Sequence, residues 1–302
     1  MKRAYFELCF ETEVHFGDGT LEETEFTFQA DTLFSALYQE ALKAGEADAF
    51  FQMAEEGDLL FSDAFPYCGK EYYLPKPIFR IQPEGEADPS ERKKYKKLQY
   101  IPVSAWGEYF SGDLQIENVR TKFGHFDQRT QAFVRSEEET RPYRVGAFRF
   151  YESCGLYGIL FYETEMAFEM VSKLFELLSY CGIGGKRSSG MGKFELHLKK
   201  NLPSDLNRAL DNEGERFMLL SCALPDEEEA EAVMEDSSYL LERRSGFVAS
   251  ETYADEWRKK KDLYLFKAGS CFLHPFKGNI YDVSNGGNHP VYRYAKGMFL
   301  QI

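Results

Sequence analysis

Between residues 165 and 199 the spacing of apolar side chains changes from helical to alternating, and a segment that suits neither period stands at the change. Ala167, Met170, Val171, Leu174, Leu178 and Cys181 recur at steps of three and four, while Glu165, Ser172, Lys173, Glu176 and Ser179 take the opposite face. This predicts an amphipathic helix ending at Gly182. Phe194, Leu196 and Leu198 then alternate with Glu195, His197 and Lys199, which predicts a half-buried strand. The intervening run, residues 182–194, reads GIGGKRSSGMGKF: five glycines, three cations and two hydroxyls without an acid. Glycine lets successive N–H groups converge on phosphate oxygens with no Cβ in the way. Lys186, Arg187 and Lys193 add positive charge there, so the loop suits a polyanion, a flexible ligand-free turn being the plain alternative.

The direction of the loop excludes the commonest phosphate sites. Walker and dinucleotide loops run from strand to helix and present phosphate to a helix N-terminus, whereas this one leaves a helix C-terminus. Phe194 follows Gly192-Lys193 where a Walker loop needs Ser or Thr, and Arg187 stands where a dinucleotide fingerprint needs its third glycine.

A length of 302 residues predicts two domains. Hydrophobic residues at 43%, with 27 Phe and 19 Tyr, supply ample core. The net charge of −14 argues against indiscriminate coating of nucleic acid and confines such contacts to local basic segments. Cysteines 9, 68, 154, 181, 222 and 271 form no C-x2-C pair, so they are expected to be buried, reduced thiols. Glu7, Glu11 and Glu13 interrupt what would be a signal-peptide core, and no stretch has the roughly 20 apolar residues of a membrane helix, so a cytoplasmic location is expected.

Along the chain, residues 3–11 alternate, with Ala4, Phe6, Leu8 and Phe10 on one face of a first strand. Asp31 stands as an N-cap before a helix with the stripe Leu33, Phe34, Leu37 and Ala41. A helix over 47–56 and a strand over 59–65 follow, then some 80 proline-punctuated residues expected to form hairpins and loops. Residues 144–150 and 155–162 read as paired strands. Residues 1–202 thus predict a βαββαβ, ferredoxin-like (RRM-like) unit with an insertion at about 66–143. Residues 203–302 predict a second, smaller α+β unit: strand 217–224, acidic helix 226–241, and strands near 246–252, 263–272 and 292–302. The acids at 226–231 read as capping rather than chemistry.

A helix, this glycine-rich loop and a strand on such a frame resemble the CRISPR-associated RAMP superfamily. Asp31-Thr-Leu-Phe-Ser-Ala-Leu37, Phe65-Pro-Tyr67, Tyr72-Tyr-Leu-Pro-Lys-Pro77 and Lys93-Lys-Tyr-Lys-Lys-Leu98 narrow the resemblance to the fourth subunit of type III-A (Csm) effector complexes. The resemblance implies tandem ferredoxin-like domains and binding of the 5′ repeat-derived tag of a CRISPR RNA. It also implies contacts to the large Cas subunit and the backbone RAMP subunit, and neither catalysis nor a cofactor, metal or small-molecule substrate. Carried onto this chain, the RNA-binding residues are His15, Phe16, Lys76, Gly182, Gly184, Gly185, Lys186, Arg187, Ser188, Ser189, Gly190 and Gly192. A β-hairpin thumb matches residues 120–148, with Phe126 and Phe133 as wedges and Arg129 among the flanking cations.

Phe16, Tyr73 and Phe126 are expected to offer rings for base stacking. The run Arg92-Lys-Lys-Tyr-Lys-Lys97 suits either RNA or solvent. The competing enzymatic reading is a RAMP endoribonuclease using His15, His125 and Lys76 for proton transfer. The processing enzymes carry their glycine-rich loop near the C-terminus, and here more than 100 residues follow it.

Overall fold

The computed structural model describes residues 1–17, 19–79, 89–133, 141–250 and 252–302, with backbone alone at 89–92, 133 and 141. The first strand, Lys2–Phe10, pairs antiparallel with Cys154–Tyr162 on one side and Phe194–Lys199 on the other. Beyond Cys154–Tyr162 lie Leu59–Phe61 and Phe65–Cys68, and the sheet continues through Glu71–Pro75 to Tyr100–Pro102. The strands of the first half therefore stand in the order fourth, first, third, second, as a βαββαβ unit requires.

Alternation along Lys2–Phe10 decides what each face covers. Ala4, Phe6 and Leu8 pack beneath the helices Ala30–Ala44 and Glu165–Cys181, whose stripes Leu33, Phe34, Leu37, Ala41 and Ala167, Val171, Leu174, Leu178 are buried. Tyr5 faces the other way and is also buried, against Tyr72, Trp106, Met218 and Leu300. That second face is thus covered by the insertion and the C-terminal half rather than by water. Helix Glu165–Cys181 starts where the Thr164 hydroxyl accepts the Ala167 N–H at 3.1 Å, and helix Ala30–Ala44 ends at left-handed Gly45 (φ 74°).

Asp31 is not the N-cap. That position is Gln29, and Asp31 is the second residue of the helix, buried in its first turn, with its carboxylate bonded to Arg244 and Arg293. The capping acceptor comes from elsewhere in the chain. Oδ1 of buried Asp63 accepts the Ala30 N–H and the Cys222 N–H, both at 2.8 Å, joining the helix start to the C-terminal half.

Burial pushes the Asp63 carboxyl up to about 7 despite those two bonds. Between about pH 4 and 7 the folded protein therefore holds a proton that the unfolded chain has released, so this group's contribution falls as pH rises through that window. Asp63→Asn keeps an acceptor for both N–H groups and removes the titration. The stability of Asp63→Asn relative to wild type should rise between pH 5 and pH 8, by on the order of a few kcal/mol. Thermal melts at the two pH values check this, and an unchanged difference would contradict it.

Several expected elements differ. Residues 141–150 do not pair with 154–162 but form a separate hairpin with Gly124–Phe133. The proline-rich insertion holds two helices, Pro89–Lys97 and Trp106–Ser111. Cys68 and Cys154 stand directly opposite across two strands and are joined by a disulfide, and Cys181 is exposed, so the thiols are not uniformly buried and reduced. A sequence separation of 86 leaves no local signal for that pairing.

In the second half Phe217–Leu219 lies between Cys271–Phe272 and Phe299–Gln301, while Leu241–Arg244 pairs with Leu263–Phe266 and Gly278–Asp282 with Tyr292–Lys296. Strand pairing thus covers Leu241–Arg244 rather than 246–252. The acidic helix is shorter than expected, Glu227–Met234. Its Glu229 accepts the N–H groups of Asp226, Lys277 and Gly278, so these acids do cap. The two halves share a core: Tyr294 stacks on Phe34, and its hydroxyl accepts the Phe61 N–H at 3.1 Å. Among the described residues no helix is long and apolar enough to cross a membrane.

Candidate nucleic-acid interface

The glycine-rich loop is clasped from below. Gly192 N–H donates to Glu13 O and Gly185 N–H to His15 O, both at 2.8 Å, while Lys193 N–H reaches Thr12 Oγ1 at 3.1 Å. Ile183 N–H closes the loop onto Gly192 O at 3.0 Å. Such packing needs glycine: a Cβ on Gly192 would lie 2.0 Å from Ile183 O, and one on Gly184 2.8 Å from His15 O. Both positions have φ in the left-handed region, +77° and +94°.

Once these bonds are made, the N–H groups of Gly184, Lys186, Arg187 and Ser188 have no protein acceptor among the described residues. Lys186 is left-handed (φ 58°, ψ 25°) and opens a tight turn over Arg187–Ser189, so three successive N–H groups form a concave nest for an anion. Ser188 and Ser189 are exposed beside it. The Lys186 ammonium lies 4.8 Å over the Tyr143 ring, and Arg187 donates to Gln39 Oε1 at 3.3 Å.

Through Ile183, Gly184, Gly185 and Arg187 the loop lines a cleft of about 770 Å³. One wall is the loop with His15, Phe16 and Gln39; the other is the C-terminal half, with Arg243, Arg244, Lys259, Lys260 and Arg293. Asp31 sits at its floor, where Arg244 donates to both carboxylate oxygens at 2.8 and 3.0 Å and Arg293 donates to Oδ2. Those two cations outweigh burial and hold the Asp31 carboxyl below the ordinary carboxylate range. Arg244 also reaches Glu242 at 2.9 Å. A second groove shares Glu25, Thr27, Phe28, Gln29 and Glu242 with the first and runs on to Lys76, Tyr100 and Lys267. Lys76 and the glycine-rich loop therefore line neighbouring grooves with a common wall.

Several of the residues singled out from sequence are not free to act as expected. His15 is buried under the loop, its Nδ1 2.8 Å from Gly146 O, which makes it a prop for Gly185 rather than an exposed acid or base. Phe16 packs on Phe28 and Phe10, and Tyr73 on Phe123; both rings are buried and closed to a base. Lys76 donates to Tyr95 O and keeps part of its stem buried, which lowers its pKa. Lys94 in the basic run pairs with Glu117 at 2.7 Å.

The thumb segment does form a ladder, from Gly124↔Phe150 to Phe133↔Arg141. Phe126 is 61% exposed, its ring edge-on to Phe148, and Arg129 is ion-paired with buried Glu13 at the hairpin base. The Phe133 side chain and residues 134–140 lie outside what is described. Glu22, Glu23, Glu25 and Asp127 make the groove beside Phe126 acidic, which directs a polyanion to the other flank. The C-terminal wall is not legible from local pattern; the run Arg258-Lys-Lys-Lys261 is its visible signal in the chain. Among the described residues no group of three His, Cys, Asp or Glu converges as a metal site.

Comparison with known proteins places this geometry. Residues 212–302 match the family model for the CRISPR Csm4 C-terminal domain. The chain is 37% identical over 292 residues to the CRISPR system Cms protein Csm4 of Mycobacterium tuberculosis, covering 95% of this chain and 94% of that one. It is 36% identical over 303 residues to the Streptococcus thermophilus protein of that name, covering 95% of each. Its fold matches a chain of a crystallised Csm3-Csm4 subcomplex of a type III-A CRISPR-Cas interference complex, with TM-score 0.69 at 19% identity, covering 100% of this chain and 99% of that one. It also matches a chain of a Csm1-Csm4 cassette in complex with cA4, with TM-score 0.63 at 19% identity, covering 100% and 98%.

Proposed function

The chain belongs to the Csm4 family of CRISPR-associated proteins, and on that premise we propose that it is the RNA-holding subunit of a type III-A effector complex. In this reading it anchors the 5′ repeat-derived tag of the CRISPR RNA and bridges the large Cas subunit to the backbone RAMP subunit, in the cytoplasm. The observation that carries it is the nest of free N–H groups at 186–188, beside a cleft that Arg187 lines together with Arg243, Lys259 and Lys260. Single-stranded RNA is held by such backbone contacts along a positive groove. The solved chains of this fold come from assemblies with Csm3 and with Csm1, which supports the two protein partners.

The contribution is binding rather than catalysis. His15 is enclosed beneath the loop and Asp31 is committed to two guanidinium groups, so neither is positioned to move a proton on RNA. The tandem ferredoxin-like organisation, residues 1–202 and 203–302, belongs to the same proposal. It is supported by the strand order of the first half and by the match of residues 212–302 to a domain of its own. Phe126 serves as the exposed wedge of the thumb.

Replacing Lys186 and Arg187 together by alanine should weaken binding of tag-bearing RNA. Each lost phosphate contact should flatten the log K against log salt slope by about 0.7. Unchanged affinity and slope in a folded double variant would remove the basis of this reading.

A further inference from the structure

We propose that the C-terminal wall of the cleft carries a nucleotide subsite of its own, in which the exposed pair Trp257 and Phe247 stacks one unpaired base and Lys260 holds the adjacent phosphate. It rests on the RNA-binding reading and extends it to residues that the family resemblance did not supply.

Trp257 is 83% exposed and Phe247 50% exposed, although their rings meet edge-to-face with centroids 6.1 Å apart. Two large aromatic surfaces held in water at the edge of a cationic cleft are a ready stacking platform. The platform is held in place by backbone bonds: Val248 N–H donates to Arg258 O and Lys260 N–H to Gly246 O, both at 2.9 Å, around a bridge between Phe247 and Lys259. Adjacent residues of such an extended segment point to opposite sides. Lys259 lies 5.6 Å over the Phe247 ring, and Lys260, on the other side of the segment, lines the same cleft as Phe247, Asp31, Arg244 and Arg293, so a nucleotide crossing the edge of the segment reaches both.

Lys260 is a cation there without an acid of its own among the described residues. Asp31, the acid that faces it, already has its carboxylate taken by Arg244 and Arg293, and among the described residues the Lys260 ammonium has no hydrogen-bond acceptor. Burial and the neighbouring Arg293 push its pKa down to about 8, and an entering phosphate relieves both effects. Arg258 and Lys261 flank this pair, in a chain whose net charge is −14. An aromatic pair beside concentrated positive charge, with Phe247 on the wall of the cleft that Arg187 also lines, favours nucleic acid over a protein face.

The chain has two tryptophans, and the other, Trp106, is only 8% exposed, so Trp257 fluorescence reports on the platform. The test titrates the full chain with a labelled single-stranded RNA bearing the repeat-derived tag, reading anisotropy for binding and tryptophan emission for stacking. RNA should quench the emission. Trp257→Phe should abolish the quench while anisotropy still reports binding, and Trp257→Ala should lose about fivefold to a hundredfold in affinity. Lys260→Met should flatten the salt slope by about 0.7, and Lys260→Arg should restore it. Wild-type binding by anisotropy without any quench, or an unchanged slope in Lys260→Met, overturns the subsite and leaves the wider reading intact. Absence of binding by anisotropy overturns both. If Trp257→Ala leaves RNA binding untouched and instead weakens association with the large subunit, the pair is a protein contact and the subsite is overturned.

Discussion

Asp31→Ala is expected to cost about 3–5 kcal/mol of stability, because it leaves buried Arg293 without a carboxylate and Arg244 with Glu242 alone. Arg244 and Arg293 are both largely enclosed, and Asp31 is the carboxylate they share, 213 and 262 residues away along the chain. Burying a cation without its partner forfeits its hydration with no compensating attraction. Equilibrium denaturation at pH 7 measures the effect, and a loss under about 1 kcal/mol would show that water already serves the arginines. The linkage has a definite sign. The Asp31 carboxyl is held below its ordinary value in the folded state, so its contribution is complete at neutral pH, starts to fall as pH drops through the ordinary carboxylate range where the unfolded chain is protonated, and is gone once the folded group is protonated too. Arg244→Met should be milder than Asp31→Ala, since Arg293 still faces the carboxylate.

Gly192→Ala should disable the loop, whereas Gly190→Ala should add only backbone strain. The two glycines have nearly the same backbone, φ +77° and +85°, so both substitutions incur the left-handed penalty of about 1–2 kcal/mol. They differ in surroundings. A Cβ at 190 meets open space, but at 192 it would lie 2.0 Å from a backbone oxygen that has nowhere to move. Relieving that clash breaks the Gly192 N–H bond to Glu13 O and the Ile183 N–H bond to Gly192 O, each worth about 0.5–1.5 kcal/mol. The expected total is about 2–5 kcal/mol for Gly192→Ala, with at least a tenfold loss in affinity for tag-bearing RNA as the nest at 186–188 loses its frame. Denaturation and anisotropy on both variants check the contrast; equal effects at the two positions would mean that backbone strain, not the clasp, governs the loop.

What could be read from the chain was what is local. The helices over 165–181 and 30–44 follow from apolar stripes, and the loop between helix and strand from its glycines, because each of these signals lies within a few turns of chain. Local pattern also located the hairpin, though not its partner: residues 144–150 alternate as a strand should whichever neighbour they pair with. Asp31 shows the limit. An acid just before an apolar stripe reads as a cap, yet the cap is Asp63 and the acid answers two arginines in the other half. His15 and Phe16 look available beside their glycine but are covered by the loop that sequence analysis placed correctly. Burial of this kind is a property of the assembled layers, as is the juxtaposition of Cys68 with Cys154. The C-terminal wall was missed for the same reason, since a basic run declares its charge but not the cleft it faces.

The contact between Phe61 and Tyr294 joins positions 233 residues apart, and it sets a schedule for biosynthesis. At roughly 5–20 residues per second, the ribosome delivers Tyr294 on the order of ten to fifty seconds after Phe61. Until then the outer side of helix Ala30–Ala44 lacks its aromatic lid, and Asp63 has no Cys222 amide to bind until that residue too has emerged. The nascent N-terminal portion therefore lacks the native cover of these groups until the late strands arrive. A nonsense codon anywhere ahead of Tyr292 would release a polypeptide with that aromatic surface uncovered, a substrate for proteolysis rather than a shortened working subunit.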